Sequence, residues 1–174
     1  HLIESLTREK TYMVSNIFIK FSELTLLDEN DRPFSSNYGA TASSVLTEFL
    51  STEDIVAMPI EKLVDFLCKK GKNRFSDPEH TALLLKQAAN NSYRLDRCLY
   101  EPLTISLASS FSCISAYENE IKIIDKAIQK TIKGLNTNEY QSLLSIPGIG
   151  PVYASGILSE IGSISVFTSQ DALA

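Results

Sequence analysis

LTISLASSFSCISAYENEIKIIDKAIQKTIKGL, residues 103–135, decides the fold class. Leu103, Leu107, Ser110, Ile114, Tyr117, Ile121, Ile124, Ile128, Thr131 and Leu135 fall alternately four and three residues apart, without a slip. A repeat of 3.5 residues sustained this long describes a helix with one apolar seam, the pattern of a coiled coil. The alternative is the apolar face of an ordinary bundle helix. On the coiled-coil reading, Leu107, Ile114, Tyr117, Ile121, Ile124 and Ile128 form a seam between subunits, and the chain is a homodimer or higher oligomer.

Upstream, Asp77-Pro78-Glu79 supplies a capping Asp, a proline at the first helical position and an acid beside it. The apolar pattern then continues to residue 135, interrupted only by Pro102, and predicts a long helix over residues 78–135 that Pro102 kinks or restarts. A second heptad-like helix is predicted over residues 2–27, from Ile3, Leu6, Met13, Ile17, Leu24 and Leu27, with Lys10 and Lys20 breaking the seam. Between them, LLDENDRPFSSNYG, residues 26–39, reads as a polar loop closed by Gly39. Three short helices follow: one through residues 40–50, one opened by Ser51 or Thr52 and ending before Pro59, and one over residues 60–71 stopped by Gly71. No segment alternates as a strand until Ile164–Phe167. The fold class is all-α: a helical, coiled-coil region over residues 1–135, then residues 136–174.

That second region contains LLSIPGIGPVYASGILSEIG, residues 143–162. A short amphipathic helix runs into Pro147-Gly148-Ile149-Gly150, and a new helix starts with Pro151 at its first position. The two glycines admit backbone angles closed to other residues. The amides opening the second helix lack carbonyl partners and sit where the helix dipole favours an anion. Ile146, Ile149, Val152, Ala154, Ile157 and Leu158 are predicted to lock the helices together, with Ala154 and Gly156 small enough for close approach. The turn is either a phosphate-binding hairpin or a packing corner.

Charge leaves both open. The net charge of −5 argues against coating nucleic acid by bulk attraction, and no Lys or Arg occurs from Gly134 to Ala174. Cations lie nearby in sequence instead. Lys122, Lys126, Lys130 and Lys133 share one face of the long helix, either a phosphate-binding stripe or its solvated flank. Lys69, Lys70, Lys72 and Arg74 form a second cluster.

Cys68, Cys98 and Cys113 show no metal or redox spacing and read as free core thiols of a reducing cytoplasm. Asp28, Glu29 and Asp31 sit in a turn-rich loop and read as solvated. His80 is the one His beyond the first residue, so neither a metal cluster nor a base beside Ser155, Ser159, Ser163, Ser165 or Ser169 is available. No apolar run approaches the roughly 18 residues of a membrane span. A start at His1 inside a helical pattern and an end at TSQDALA read as a piece of a longer protein.

Residues 143–162 resemble a helix-hairpin-helix motif, in which hairpin amides hold a nucleic-acid phosphate. The longer stretch SIPGIGPVYASGILSEIGSISVFTSQDALA, preceded by ENEIKIIDKAI, resembles the insertion-sequence transposases of the IS-one-ten family, and RFSDPEHTALLLKQAANNS fits their helical region; the resemblance spans residues 75–174. It implies a parent with a RuvC-like domain bearing four acidic residues and a divalent metal such as Mg, a helical region, and a domain holding a catalytic serine. It also implies a dimeric or tetrameric recombinase of a bacterial or archaeal cytoplasm, guided by a bridge RNA and acting on DNA. The acidic domain and the serine fall outside residues 1–174, so this chain would hold no catalytic residue, metal or cofactor. Its task would be subunit association and nucleic-acid positioning through Pro147, Gly148, Ile149 and Gly150 and through Lys122, Lys126, Lys130 and Lys133. Two other readings stand beside this one: a stand-alone hairpin DNA-binding accessory domain, and a purely structural oligomerisation module.

Overall fold

The computed structural model describes residues 1–28, 31–135, 137–162 and 167, and among these all regular structure is helical. The helices in chain order are α1 (Leu2–Lys20), α2 (Glu23–Leu26), α3 (Ala40–Glu48), α4 (Thr52–Ala57), α5 (Ile60–Gly71), α6 (Pro78–Asn91), α7 (Arg97–Leu135), α8 (Thr137–Leu144) and α9 (Pro151–Ile161). The all-α class holds. The segment Ile164–Phe167, read as a short strand, lies outside the described residues except for Phe167, which is not in a strand.

The chain forms two compact units, His1–Tyr117 and Glu118–Ala174, and the division between them falls inside α7. In the first unit, α1 and the N-terminal half of α7 run antiparallel. Glu9 accepts a hydrogen bond from Ser110 Oγ (2.6 Å), Asn16 Nδ2 donates to Ser106 Oγ (3.0 Å) and Lys20 Nζ donates to Thr104 Oγ1 (2.6 Å), so rising numbers on α1 meet falling numbers on α7. Met13 and Ile17 share one core with Leu107 and Ile114, all buried, to which α3, α4, α5 and α6 add Val45, Leu46, Ile55, Leu63, Leu67 and Leu85. Met13 and Ile17 of one heptad-like pattern and Leu107 and Ile114 of the other are therefore buried together within a single chain. Leu107 and Ile114, read as seam residues, lie in this core.

Two predicted long helices are broken, each by side chains that sequence periodicity does not weigh. The first helix ends at Lys20 because Phe21 leaves helical geometry (φ −149°, ψ 73°), and Phe21 and Leu24 are then buried. The predicted helix over 78–135 is two helices, separated at residues 92–96 and not at Pro102. Arg94 makes that break. Its Nη1 donates to the carbonyls of Ala89 (2.8 Å) and Ser92 (2.8 Å) and to Thr52 Oγ1 (3.1 Å), closing the end of α6, while Nε pairs with Glu53 (3.0 Å) on α4. Pro102 lies inside α7, past its first turn. The capping predictions hold: Ser51 and Asp54 form a reciprocal capping box, and Asp77 accepts from His80 N with Pro78 at the start of α6. Helix α5 runs through Gly71 and is capped one residue later by Lys72 in the left-handed region. The thiols are free but none is in the core: Cys98 is exposed, and Cys68 and Cys113 are half-buried.

Lys20 shows how a cation survives at a seam position. It is buried, and its ammonium also donates to the carbonyls of Leu46 (2.7 Å) and Phe49 (2.9 Å), closing the end of α3. Burial lowers its pKa from 10.5 to about 8, against the opposing charge of Asp54. Below pH 8 both folded and unfolded chains carry the proton. Between about 8 and 10.5 the folded chain has released it and the unfolded chain has not, so unfolding takes up a proton and stability rises with pH. The gain is about 3 kcal/mol across the window, at roughly 1.4 kcal/mol per pH unit. Denaturation series from pH 7 to 10.5 should show this rise in the native chain and a flatter profile in Lys20→Met; parallel profiles would contradict the assignment.

Candidate nucleic-acid interface

In the second unit, the last turns of α7 meet the α8–α9 hairpin. Tyr140, Ala154 and Leu158 are buried there, with Ile132, Leu143, Leu144 and Ile149 packed around them. The lock is smaller than the sequence suggested. Ile146 and Val152 stand 48% and 53% exposed, and a side chain added at Gly156 would meet nothing within 4 Å, so only Ala154 makes the close approach expected of the pair. Tyr153, which sequence reasoning passed over, is 72% exposed beside the turn. Its neighbours could have flagged it: Ala154 and Leu158 take the inward side of α9 and leave Tyr153 outside.

The turn has the form needed to present backbone. Ile149 N donates to Ile146 O (3.1 Å) and Ala154 N to Gly150 O (2.9 Å). Gly148 adopts φ +92°, a region L side chains rarely enter, so this position requires glycine. Gly150 is the N-cap of α9 and brings no side chain to the first-turn amides, while Pro151 has none to satisfy. Pro147 and Gly148 are exposed, and Ile149 and Gly150 half-exposed. Small, open and positive in partial charge, this end of α9 can accept an anionic oxygen.

Lys122, Lys126, Lys130 and Lys133 are all exposed on the α7 segment of the same unit. None pairs with a carboxylate among the described residues. The helical repeat turns them away from Ile121, Ile124 and Ile128. Those three lie with Ile132 on the apolar side, where Ile124 and Ile128 remain 44% and 39% exposed and Tyr117 and Ile121 half-buried. The predicted seam is thus divided in use: its first half lies in the core of the His1–Tyr117 unit, and its second half is open to solvent.

Among the described residues, no three His, Cys, Asp or Glu side chains are grouped so as to hold a metal ion, and no helix is long and apolar enough to cross a membrane. Asp28 and Asp31 are exposed.

Residues 140–174 match the model of the Transposase IS116/IS110/IS902 family. The match begins in α8, covers the Pro-Gly turn and α9, and supports a role in transposition; residues 75–139, where the sequence also suggested resemblance, lie outside it. No curated protein and no solved structure matches the chain.

Proposed function

We propose that the chain serves DNA transposition as a non-catalytic helical piece of a transposase of this family, positioning nucleic acid and joining subunits. The observation that carries the reading is the coincidence of the family match with a hairpin whose Gly148 and Gly150 leave backbone open, in a unit that also carries four exposed lysines. The hairpin fixes one phosphate, and the lysines supply the charge neutralisation that the hairpin lacks. DNA and a guide RNA are the expected partners, in a bacterial or archaeal cytoplasm. Chemistry belongs on this reading to an acidic, Mg-binding domain and a serine-bearing segment. The described residues do not fit such a metal site, and no catalytic step is assigned to them.

The open part of the seam favours self-association as a second role. Ile121, Ile124 and Ile128 form a continuous apolar edge on one side of α7, suited to a second copy of the same helix.

Binding of labelled duplex DNA and a structured RNA across a salt series tests the first role. Replacing Lys122, Lys126, Lys130 and Lys133 together with glutamate should weaken binding at low salt by at least about a hundredfold and flatten the salt dependence. Equal binding by the variant would remove the lysine stripe from the interface, and no binding of either nucleic acid at low salt would reduce the hairpin to a packing corner.

A further inference from the structure

The first unit contains a basic basin that the hairpin reading leaves unused. It is an open hollow of about 420 Å³, and its lining includes Lys70, Lys72, Arg74, Ser35, Thr41 and Ser76 and no carboxylate. One wall is the loop after α5. The other is the start of α3, where Gly39 caps the helix without a side chain. For a chain of net charge −5, a hollow bounded by three cations and three hydroxyls is a local reversal of sign.

The cationic wall is built, not loose. A Cβ at Gly71 would lie 2.4 Å from the Phe75 ring, so glycine is needed where that ring closes over the end of α5. Phe75 packs against the core. Asn73 N donates to Cys68 O (2.9 Å) and Arg74 N to Gly71 O (3.2 Å), fixing the turn between them. Lys72 and Asn73 both adopt positive φ, 52° and 55°. Two successive non-glycine residues in the left-handed region carry strain that packing must hold, and Lys72 occupies the capping position where glycine is usual. What this arrangement gains is presentation: Lys72 and Arg74 are exposed and have no acidic partner among the described residues. Lys70 is tied to Glu48 and lies over the Phe66 ring, which fixes it at the edge of the hollow.

We infer that this basin binds a backbone phosphate of a nucleic-acid strand, through Lys72 and Arg74 with the hydroxyls of Thr41, Ser35 and Ser76 around it. The site is independent of the hairpin; the choice of a polynucleotide over free phosphate rests on the transposition reading.

Anisotropy titrations of the whole chain with a labelled oligonucleotide test the inference, using a Lys72→Gln/Arg74→Gln variant and a charge-preserving Lys72→Arg/Arg74→Lys variant. The first should bind at least about tenfold more weakly, with a log–log salt slope shallower by roughly 0.7–0.9, as expected for one phosphate no longer neutralised. The second should restore both. The increment should persist when the four α7 lysines are already glutamate, which separates this site from the hairpin: loss only in the α7 variant would overturn the basin alone, and loss only in the basin variant would overturn the α7 stripe alone. Unchanged affinity and slope in the glutamine variant, or no oligonucleotide binding at low salt, would overturn the basin. Displacement of the oligonucleotide by inorganic phosphate beyond a chloride control of equal ionic strength would reassign it to free phosphate and overturn the polynucleotide assignment.

Discussion

Leu107→Ala is expected to destabilise the His1–Tyr117 unit by about 2–5 kcal/mol, enough to melt much of it at moderate temperature. Leu107 is fully buried in the core that also holds Met13 and Ile17 of α1 and Ile114 of α7. Truncation leaves a hole between two helices already fixed by the Glu9–Ser110, Asn16–Ser106 and Lys20–Thr104 bonds, so the site has little freedom to collapse. Urea denaturation followed by circular dichroism reads the loss, and the loss should not depend on protein concentration. A concentration-dependent change would mean that Leu107 is buried between subunits after all.

On the proposed self-association through this edge, Ile124→Asp with Ile128→Asp is expected to act in the opposite sense: little loss of helix content, and conversion of the oligomer to a single chain. Both side chains are about two-fifths exposed, so a carboxylate there costs the isolated chain little. In a paired seam the same carboxylates would be desolvated opposite one another, at several kcal/mol. Sedimentation analysis gives the mass directly. A variant that stays folded and keeps the native oligomer's mass would remove this edge from any subunit interface.

These two expectations diverge although Leu107 and Ile124 belong to one unbroken heptad pattern. Periodicity reveals that a helix has an apolar face; it does not reveal what covers it, and here α1 covers only the first part. The same limit explains the other misplacements. Asp77-Pro78 and Ser51 with Asp54 were legible because capping is local chemistry, settled within four residues. The break at 92–96 was not, because it depends on Arg94 reaching Thr52 and Glu53 on α4. Lys20 read as a flaw in the seam because its partners, Leu46 and Phe49, are some 26 and 29 residues away. At the hairpin, glycine and proline placed the turn correctly, whereas the outward positions of Ile146, Val152 and Tyr153 follow from how α8 and α9 pack, which hydrophobicity alone does not fix. The basic basin was visible in sequence only as a cluster at 69–74; its second wall, from Pro33 to Thr41, comes from tertiary structure.

Amide hydrogen exchange of the chain with and without duplex DNA at low salt tests directly whether the hairpin and the lysine stripe hold nucleic acid. Slowed exchange at Gly148, Gly150, Val152 and Tyr153, together with protection of Lys122–Lys133, is the result predicted for a hairpin that holds a phosphate while the stripe neutralises its neighbours. Duplex that binds while exchange across residues 118–162 stays unchanged would contradict it.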